Sequence, residues 1–299
     1  MPDTLQKRAP VKVNLCLHVG PVREDGLHEL ASLAVFPQIG DLIGVSPANA
    51  LTLEVTGPFA AQLRDLPPES NLVMRAARAL QDAAGTDKGA KIMLEKHVPA
   101  ASGIGGGTSD ATTTLFLLRE LWQAEISDAA LRTLAFTIGA DGPVCLMPHL
   151  SRGNSAIMLG AGEHVTTGPD LPEVWMCLVN PLQEVPTGPV FRAFDAANPA
   201  PVLPDLPRFT TMGDFGDATR NDLQPFAEQL CPGIVSVLAT LSAQSDVIWT
   251  RMSGSGATCF GLYETAEAAM AAADTAKQHG WWGKAAKVST LTDGIFSNQ

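Results

Sequence analysis

The chain is short of positive charge, of long apolar runs and of patterned cysteines, and each shortage excludes something. Lys and Arg total 20 against 31 Asp and Glu, a net charge of −11. That balance speaks against nucleic acid or an anionic membrane as a partner, because both reward clustered positive charge. A nucleotide stays allowed, since one local positive site can hold it. No apolar run nears the ~18 residues of a membrane span, and residues 1–8 lack the apolar stretch of a secretion signal. Five cysteines (Cys16, Cys145, Cys177, Cys231 and Cys259) are an odd number, far apart and without a C-x-x-C pair. Buried free thiols in a reducing cytosol are expected, not a disulfide framework or a zinc site. The histidines form no H-E-x-x-H spacing and no serine sits in G-x-S-x-G, so neither a zinc-protease nor an α/β-hydrolase signature is present. Internal repeats and low-complexity tracts are also missing. The expectation is a cytoplasmic globular protein.

What the chain does have is glycine in one place. Residues 99–110 read Pro99-Ala100-Ala101-Ser102-Gly103-Ile104-Gly105-Gly106-Gly107-Thr108-Ser109-Asp110, with four glycines in five positions. Glycines let the backbone curl tightly and approach a ligand, having no Cβ in the way. A helical pattern follows, expected to begin near Ser109. Its free N–H groups and roughly +0.5 of dipole charge then point into the turn. Such a turn is an anion site, and phosphate is the usual anion. The loop is no Walker A, because Gly107 is followed by Thr108-Ser109 and not by Lys-Ser/Thr. Nor is it a dinucleotide fingerprint, because Thr108 stands where the third glycine belongs. A plain connector is the alternative, but it needs only one or two glycines.

A length of 299 residues and 45% hydrophobic composition suit two globular domains. Val11, Val13, Leu15, Leu17 and Val19 alternate with Lys12, Asn14, Cys16 and His18, which predicts a half-buried strand. Lys12 and Asn14 then share a face, about 6.5–7 Å apart. Strands are also expected at 34–39, 42–46, 51–55 and 91–94. Helices are expected from an Asn71 cap to Gly85, through Ala111, Leu115, Leu118 and Trp122, and from a Ser127 cap to Gly139. Asp141-Gly142-Pro143 reads as a turn, 148–162 as a boundary, and proline-rich 181–217 as long surface loops. The last part reads strand (247–252), glycine turn, strand (258–263), helix (265–279) and strand (286–290). That ββαβ order predicts an α+β sandwich and not a doubly wound parallel sheet.

Single residues carry chemistry less clearly. Lys12 reads alone as a lysine on a solvated face, and Asp141 as an ordinary turn aspartate. Together they suit phosphoryl transfer, which needs a carboxylate near the acceptor hydroxyl and a cation near the developing charge. His28, after the Asp25-Gly26 turn, is either a ligand contact or a partly exposed histidine. Ser253-Gly254-Ser255-Gly256 is either a hairpin turn or a nest of N–H groups for a phosphate.

Taken together, these segments resemble the GHMP kinase superfamily. The matching stretches are 9–15, Asp25-Gly26-Leu27-His28-Glu29-Leu30, 99–110, Gly139-Ala140-Asp141-Gly142-Pro143-Val144, Val185-Pro186-Thr187 and 251–257, in the family's order. The resemblance implies an α+β fold of two domains with the active site in the cleft between them. The N-terminal ATP-binding domain (1–157) would be like ribosomal protein S5, and the C-terminal domain (158–299) ferredoxin-like. It implies ATP and Mg²⁺, and transfer of the γ-phosphate to a small-molecule alcohol. The D-G-x-H-E segment and the triple glycine resemble members acting on the 2-hydroxyl of a cytidine diphosphate-linked methylerythritol in the non-mevalonate isoprenoid route. The family's general base falls on Asp141 and its motif lysine on Lys12. Residues Pro99 to Ser109 match the ATP phosphate loop, and Asn71 a nucleotide contact. His28, Thr187 and Phe191 match acceptor contacts, with Asn14, Gly254 and Ser255 also expected there, and Thr108 is the candidate hydroxyl for Mg²⁺. Leu27 stands where the family commonly has a tyrosine that stacks on cytosine. Ala101 and Ser102 replace glycines, and Thr108 replaces a serine. The competing readings are a GHMP kinase for homoserine, a sugar or mevalonate, and a non-catalytic nucleotide-binding protein of the same fold.

Overall fold

A computed structural model describes residues 4–64, 66–151, 153–197 and 201–288, with the backbone of 296–297. Six short strands come first: β1 (Leu5–Pro10), β2 (Val13–Asn14), β3 (His18–Val22), β4 (His28–Val35), β5 (Gly40–Ala48) and β6 (Leu51–Thr56). Helix α1 (Leu72–Ala84) and strand β7 (Gly89–Glu95) lead to α2 (Gly106–Trp122), α3 (Asp128–Ile138) and α4 (Gly142–Leu150). Strands β8 (Ser155–Gly160), β9 (His164–Thr167) and β10 (Val174–Asn180) follow, then helices α5 (Thr187–Ala197), α6 (Met212–Ala218), α7 (Gln224–Leu230) and α8 (Gly233–Ser242). The chain closes with β11 (Val247–Met252), β12 (Cys259–Tyr263), α9 (Ala266–Gln278), β13 (Trp282–Val288) and β14 (Phe296–Ser297).

Local signals set several of these elements. Asn71 caps α1 by accepting from the Val73 N–H at 3.0 Å, and Gly85 ends it in the left-handed conformation. Ser127 caps α3 in the same way. The first sheet runs β14-β1-β5-β7-β6, with β6 and β7 parallel. Its Ile43, Val45, Ile92 and Leu94 pack against Val73, Leu80, Leu115, Leu118 and Trp122 of α1 and α2. A second sheet joins β2, β4, β8 and β9, with β3 beside β4. The third runs β11-β12-β10-β13, wholly antiparallel. One of its faces buries Cys177, Val179, Cys259 and Tyr263 against α8 and α9. The other buries Met176, Leu178, Phe260 and Leu262 against Val11, Val13, Leu15, Leu33 and Val35.

That last contact corrects the half-buried strand expected at 11–19. Strand is confined to Val13–Asn14 and, from His18 on, β3, and residues 11–20 are buried throughout, because one side meets the third sheet and the other faces the cleft wall. Helix α2 begins at Gly106, three residues before the expected Ser109, so two glycines form its first turn. The Asp141 turn opens α4, with Pro143 in the first helical positions, where a missing N–H costs nothing. The proline-rich stretch holds α5 and α6. Val190 and Phe194 of α5, four residues apart, are both buried, an apolar stripe that the prolines masked. The strand expected at 286–290 is β13, which starts earlier; residues 289–290 lie outside the described residues. The boundary expected at 157/158 falls inside β8, whose pairing with β4 is continuous from Ser155 to Gly160.

Candidate active site

The glycine loop is shaped by a neighbour as much as by its own residues. Gly103 has φ +75° and Gly254 φ +57°, left-handed values that glycine adopts freely. A Cβ on Gly103 would lie 2.4 Å from the Gly256 carbonyl oxygen, and one on Gly254 would lie 2.6 Å from the Gly103 oxygen. The 253–256 turn therefore connects two strands and also clamps the first loop. Ser253 Oγ donates to the Gly103 carbonyl at 3.3 Å, and the Thr258 N–H to that of Ser102 at 3.2 Å. Asn221 Nδ2 in turn donates to the Met252 and Gly254 carbonyls, both at 2.8 Å.

Lys12 meets this loop through its backbone, its N–H donating to the Ile104 carbonyl at 3.0 Å. Its ammonium donates to Asn14 Oδ1 and lies beside Asp141 Oδ2, each at 2.9 Å. The lysine side chain is 4% exposed and that of Asp141 39%, so the pair has a sealed cationic end and an open carboxylate. Asn14 is oriented by donating to Ser32 Oγ at 2.7 Å, and Ser32 donates to the Cys16 carbonyl at 2.6 Å.

Both residues line a cleft of about 570 Å³. Gly103, Gly105 and Thr108 line one side of it, and His28, Thr187, Phe191, Gly254 and Ser255 also reach it. The His28 and Phe191 rings lie 4.9 Å apart, and the Thr187 and Ser255 hydroxyls 2.8 Å apart. Leu27 lines the cleft as well, 42% exposed. Arg192 and Asp195 of α5 line it too, and neither was expected from the sequence. Their signal was position, one and four residues beyond Phe191. Arg192 has no ion pair or hydrogen bond among the described residues, whereas Asp195 Oδ1 lies 2.7 Å from His28 Nε2.

Pro99, Ala100, Ala101, Ser102, Ile104, Gly106, Gly107, Ser109 and Asn71 do not line this cleft. The Ser109 hydroxyl is buried and donates to the Pro10 carbonyl at 2.6 Å. Ile104 is buried beneath the loop. Asn71 lines a smaller pocket of about 250 Å³ with Leu53, Val55, Leu63, Arg64 and Pro68. A Cβ on Gly107 would lie 3.6 Å from Leu72, the residue after Asn71, so this glycine of the loop lies near the start of α1.

Beneath the loop lies a second lysine that sequence reasoning passed over. Lys96 Nζ sits 2.9 Å from Asp110 Oδ2 and closer still to Asp41 Oδ2, with all three side chains at most 3% exposed. Asp41 Oδ1 also accepts from the Val98 N–H at 2.9 Å. Asp110 Oδ1 has no hydrogen-bond partner among the described residues. Burial pushes the Asp110 carboxyl up to about 8, against the pull of Lys96 and with the help of Asp41. For Lys96, burial disfavours the charge, but the two carboxylates overcome it and raise its pKa. A Cβ on Gly106 would lie 3.6 Å from Lys96 Nζ, so the ammonium underlies the first turn of α2. No group of three His, Cys, Asp or Glu poised for a metal occurs among the described residues, and no helix there is long and apolar enough to cross a membrane.

A phosphate-type loop, a facing lysine–carboxylate pair and a cleft between two α+β halves define a small-molecule kinase. The family model "GHMP kinases N terminal domain" matches residues 71–148, and "GHMP kinases C terminal" matches 203–280. A 4-diphosphocytidyl-2-C-methyl-D-erythritol kinase of Paramagnetospirillum magneticum is 47% identical over 280 residues, covering 92% of this chain and 95% of the relative. One from Cereibacter sphaeroides is 46% identical over the same shares. A crystal structure of 4-(cytidine 5'-diphospho)-2C-methyl-D-erythritol kinase superposes with a TM-score of 0.76 at 34% identity, covering 94% of this chain and 98% of that one. Homoserine kinase from Cytophaga hutchinsonii shares the fold, with a TM-score of 0.69 at 17% identity. The chain belongs to the 4-diphosphocytidyl-2-C-methyl-D-erythritol kinase family of the GHMP kinases, which are ATP-dependent.

Proposed function

We propose that the chain transfers the γ-phosphoryl group of ATP to the 2-hydroxyl of 4-diphosphocytidyl-2-C-methyl-D-erythritol. The observation that carries this is the 2.9 Å Lys12–Asp141 pair, with the glycine loop on one side and the His28–Phe191 rings in the same cleft. Asp141 takes the hydroxyl proton as the new P–O bond forms and the bond to ADP breaks, a contribution of about 10²–10⁴-fold. Lys12 stabilises the negative charge that grows on the attacking oxygen. The backbone N–H groups at the start of α2 and its dipole hold the phosphates, with the Lys96 ammonium beneath them. The pocket beside Asn71, with Leu53, Val55 and Leu63 in its wall, is assigned to the adenine. His28 and Phe191 hold the base end of the acceptor. Arg192, the lining cation without a partner, faces its diphosphate.

Mg²⁺ prefers oxygen ligands and keeps several waters beside substrate phosphates. The Thr108 hydroxyl and the open Asp141 carboxylate fit an ion held chiefly by nucleotide and water. When bound, the ion neutralises phosphate charge. As for domains, we place the division after β9, because β8 pairs with β4 throughout its length.

The test is Asp141→Asn. Turnover falls about 10²–10⁴-fold while ATP still binds, and phosphorus NMR of the native reaction shows the new phosphate on the 2-hydroxyl. ADP release with homoserine, a sugar or mevalonate but not with the cytidyl acceptor would overturn the reading. ATP binding without transfer to any acceptor would favour the non-catalytic alternative.

A further inference from the structure

His28 is the first residue of β4, and its ring is gripped by α5, 167 residues away in sequence. Phe191 lies against one side at 4.9 Å and Phe194 meets the ring edge-on at 6.2 Å. Asp195 Oδ1 lies 2.7 Å from Nε2. Phe191 and Asp195 are four residues apart and so share a face of the helix. The ring side chain is 10% exposed and borders the cleft. Its other nitrogen, Nδ1, has no partner among the described residues.

An ionised carboxylate only accepts, so the nitrogen facing it must carry the proton. In a neutral imidazole the remaining nitrogen is then an acceptor. We propose that Asp195 is a positioning residue that fixes the Nε2–H tautomer of His28, leaving Nδ1 as an acceptor toward the cleft. An acceptor there pairs with a base that offers an exocyclic amino group. Cytosine carries an N–H₂ donor where uracil-type bases carry a carbonyl oxygen. Asp195 thereby makes the pocket select a cytidyl over a uridyl acceptor through the ring of His28. The selectivity half rests on the function proposed above, but the tautomer half does not.

The experiment has two readouts. In ¹⁵N-labelled protein without substrate, long-range ¹H–¹⁵N correlation of the histidine rings, with His28→Gln to assign the signal, shows His28 as the Nε2–H tautomer. Asp195→Asn, whose amide can donate or accept, converts it to a mixture. Kinetically, Asp195→Asn narrows the cytidyl-to-uridyl ratio of kcat/KM by about tenfold or more, as loss of a matched polar contact does. The KM for ATP is unchanged, and Asp195→Glu restores part of the ratio. An Nδ1–H or doubly protonated ring in the native protein, or a ratio unmoved by Asp195→Asn, overturns the proposal. A native protein that turns over neither acceptor overturns the substrate reading instead, and the ring spectrum still decides the role of Asp195.

Discussion

Lys12 and Lys96 are both almost wholly buried, and each has a carboxylate oxygen 2.9 Å from its ammonium. Their surroundings separate them. Lys12 pairs with a carboxylate that is 39% exposed in the cleft, so its partner is open to a reacting hydroxyl and to water. Lys96 is sealed between Asp41 and Asp110, which reach neither solvent nor cleft. A buried charge is costly unless paired, and removing one partner of a buried pair exposes that cost in full. The first lysine is thus placed to act on a ligand, and the second to hold the loop that binds one.

The largest expected effects test this contrast directly. Lys12→Met lowers turnover about 10²–10³-fold and costs about 1–3 kcal/mol of urea stability, because Asp141 can be solvated and only the buried Asn14 oxygen loses its donor. Lys96→Met leaves the buried Asp41 carboxylate and the Asp110 carboxyl without their cation and costs about 3–5 kcal/mol of stability, read in the same unfolding experiment. Equal stability losses in the two variants would erase the distinction.

A smaller effect is the pH dependence of stability. The Asp110 carboxyl, ordinarily near 3.8, lies at about 8 in the fold. Its folded pKa is raised, so its contribution is complete below about pH 4 and is lost as pH rises through about 8. Asp110→Asn removes this part of the slope. His149 is an internal control of opposite sign. Burial, helped by the charge of Lys7, lowers it from 6.5 to about 3. Its contribution is lost as pH falls from about 6.5 toward 3, and Asp110→Asn leaves that loss unchanged. Thermal midpoints across pH 4–9 read both limbs.

The smallest effect concerns the loop itself. Ala101 has φ +48°, a left-handed conformation that costs an L-residue about 1–2 kcal/mol. Glycine relieves that strain but gives back about 0.5–1 kcal/mol as chain entropy. Ala101→Gly therefore stabilises by at most about 1.5 kcal/mol, visible as a slight rise in Tm. A fall in Tm would mean that the Ala101 methyl makes a contact worth more than the strain.

Elements with a local cause were legible. Asn71 and Gly85 bracket α1, Ser127 opens α3, and the strands expected at 42–46, 51–55 and 91–94 are β5, β6 and β7. The misreadings had non-local causes. Segment 11–20 looked half-buried because its period is two, but a sheet more than 150 residues away covers its outer side. Helix α5 was hidden by prolines, although Val190 and Phe194 carry its buried stripe.

By itself, the sequence determined the chemistry available at each end of the cleft. Glycines at 103–107 dictate a curled backbone and a helix start, Lys12 and Asn14 must share a face, and the motif order points to one kinase family. These follow from steric freedom and from periodicity, which act over a few residues. Only the tertiary structure decided that Lys12 reaches Asp141, that the 253–256 turn clamps the first loop, and that Asp195 holds His28. Those contacts join residues 129 to 167 positions apart, and packing alone, not local propensity, brings such residues together.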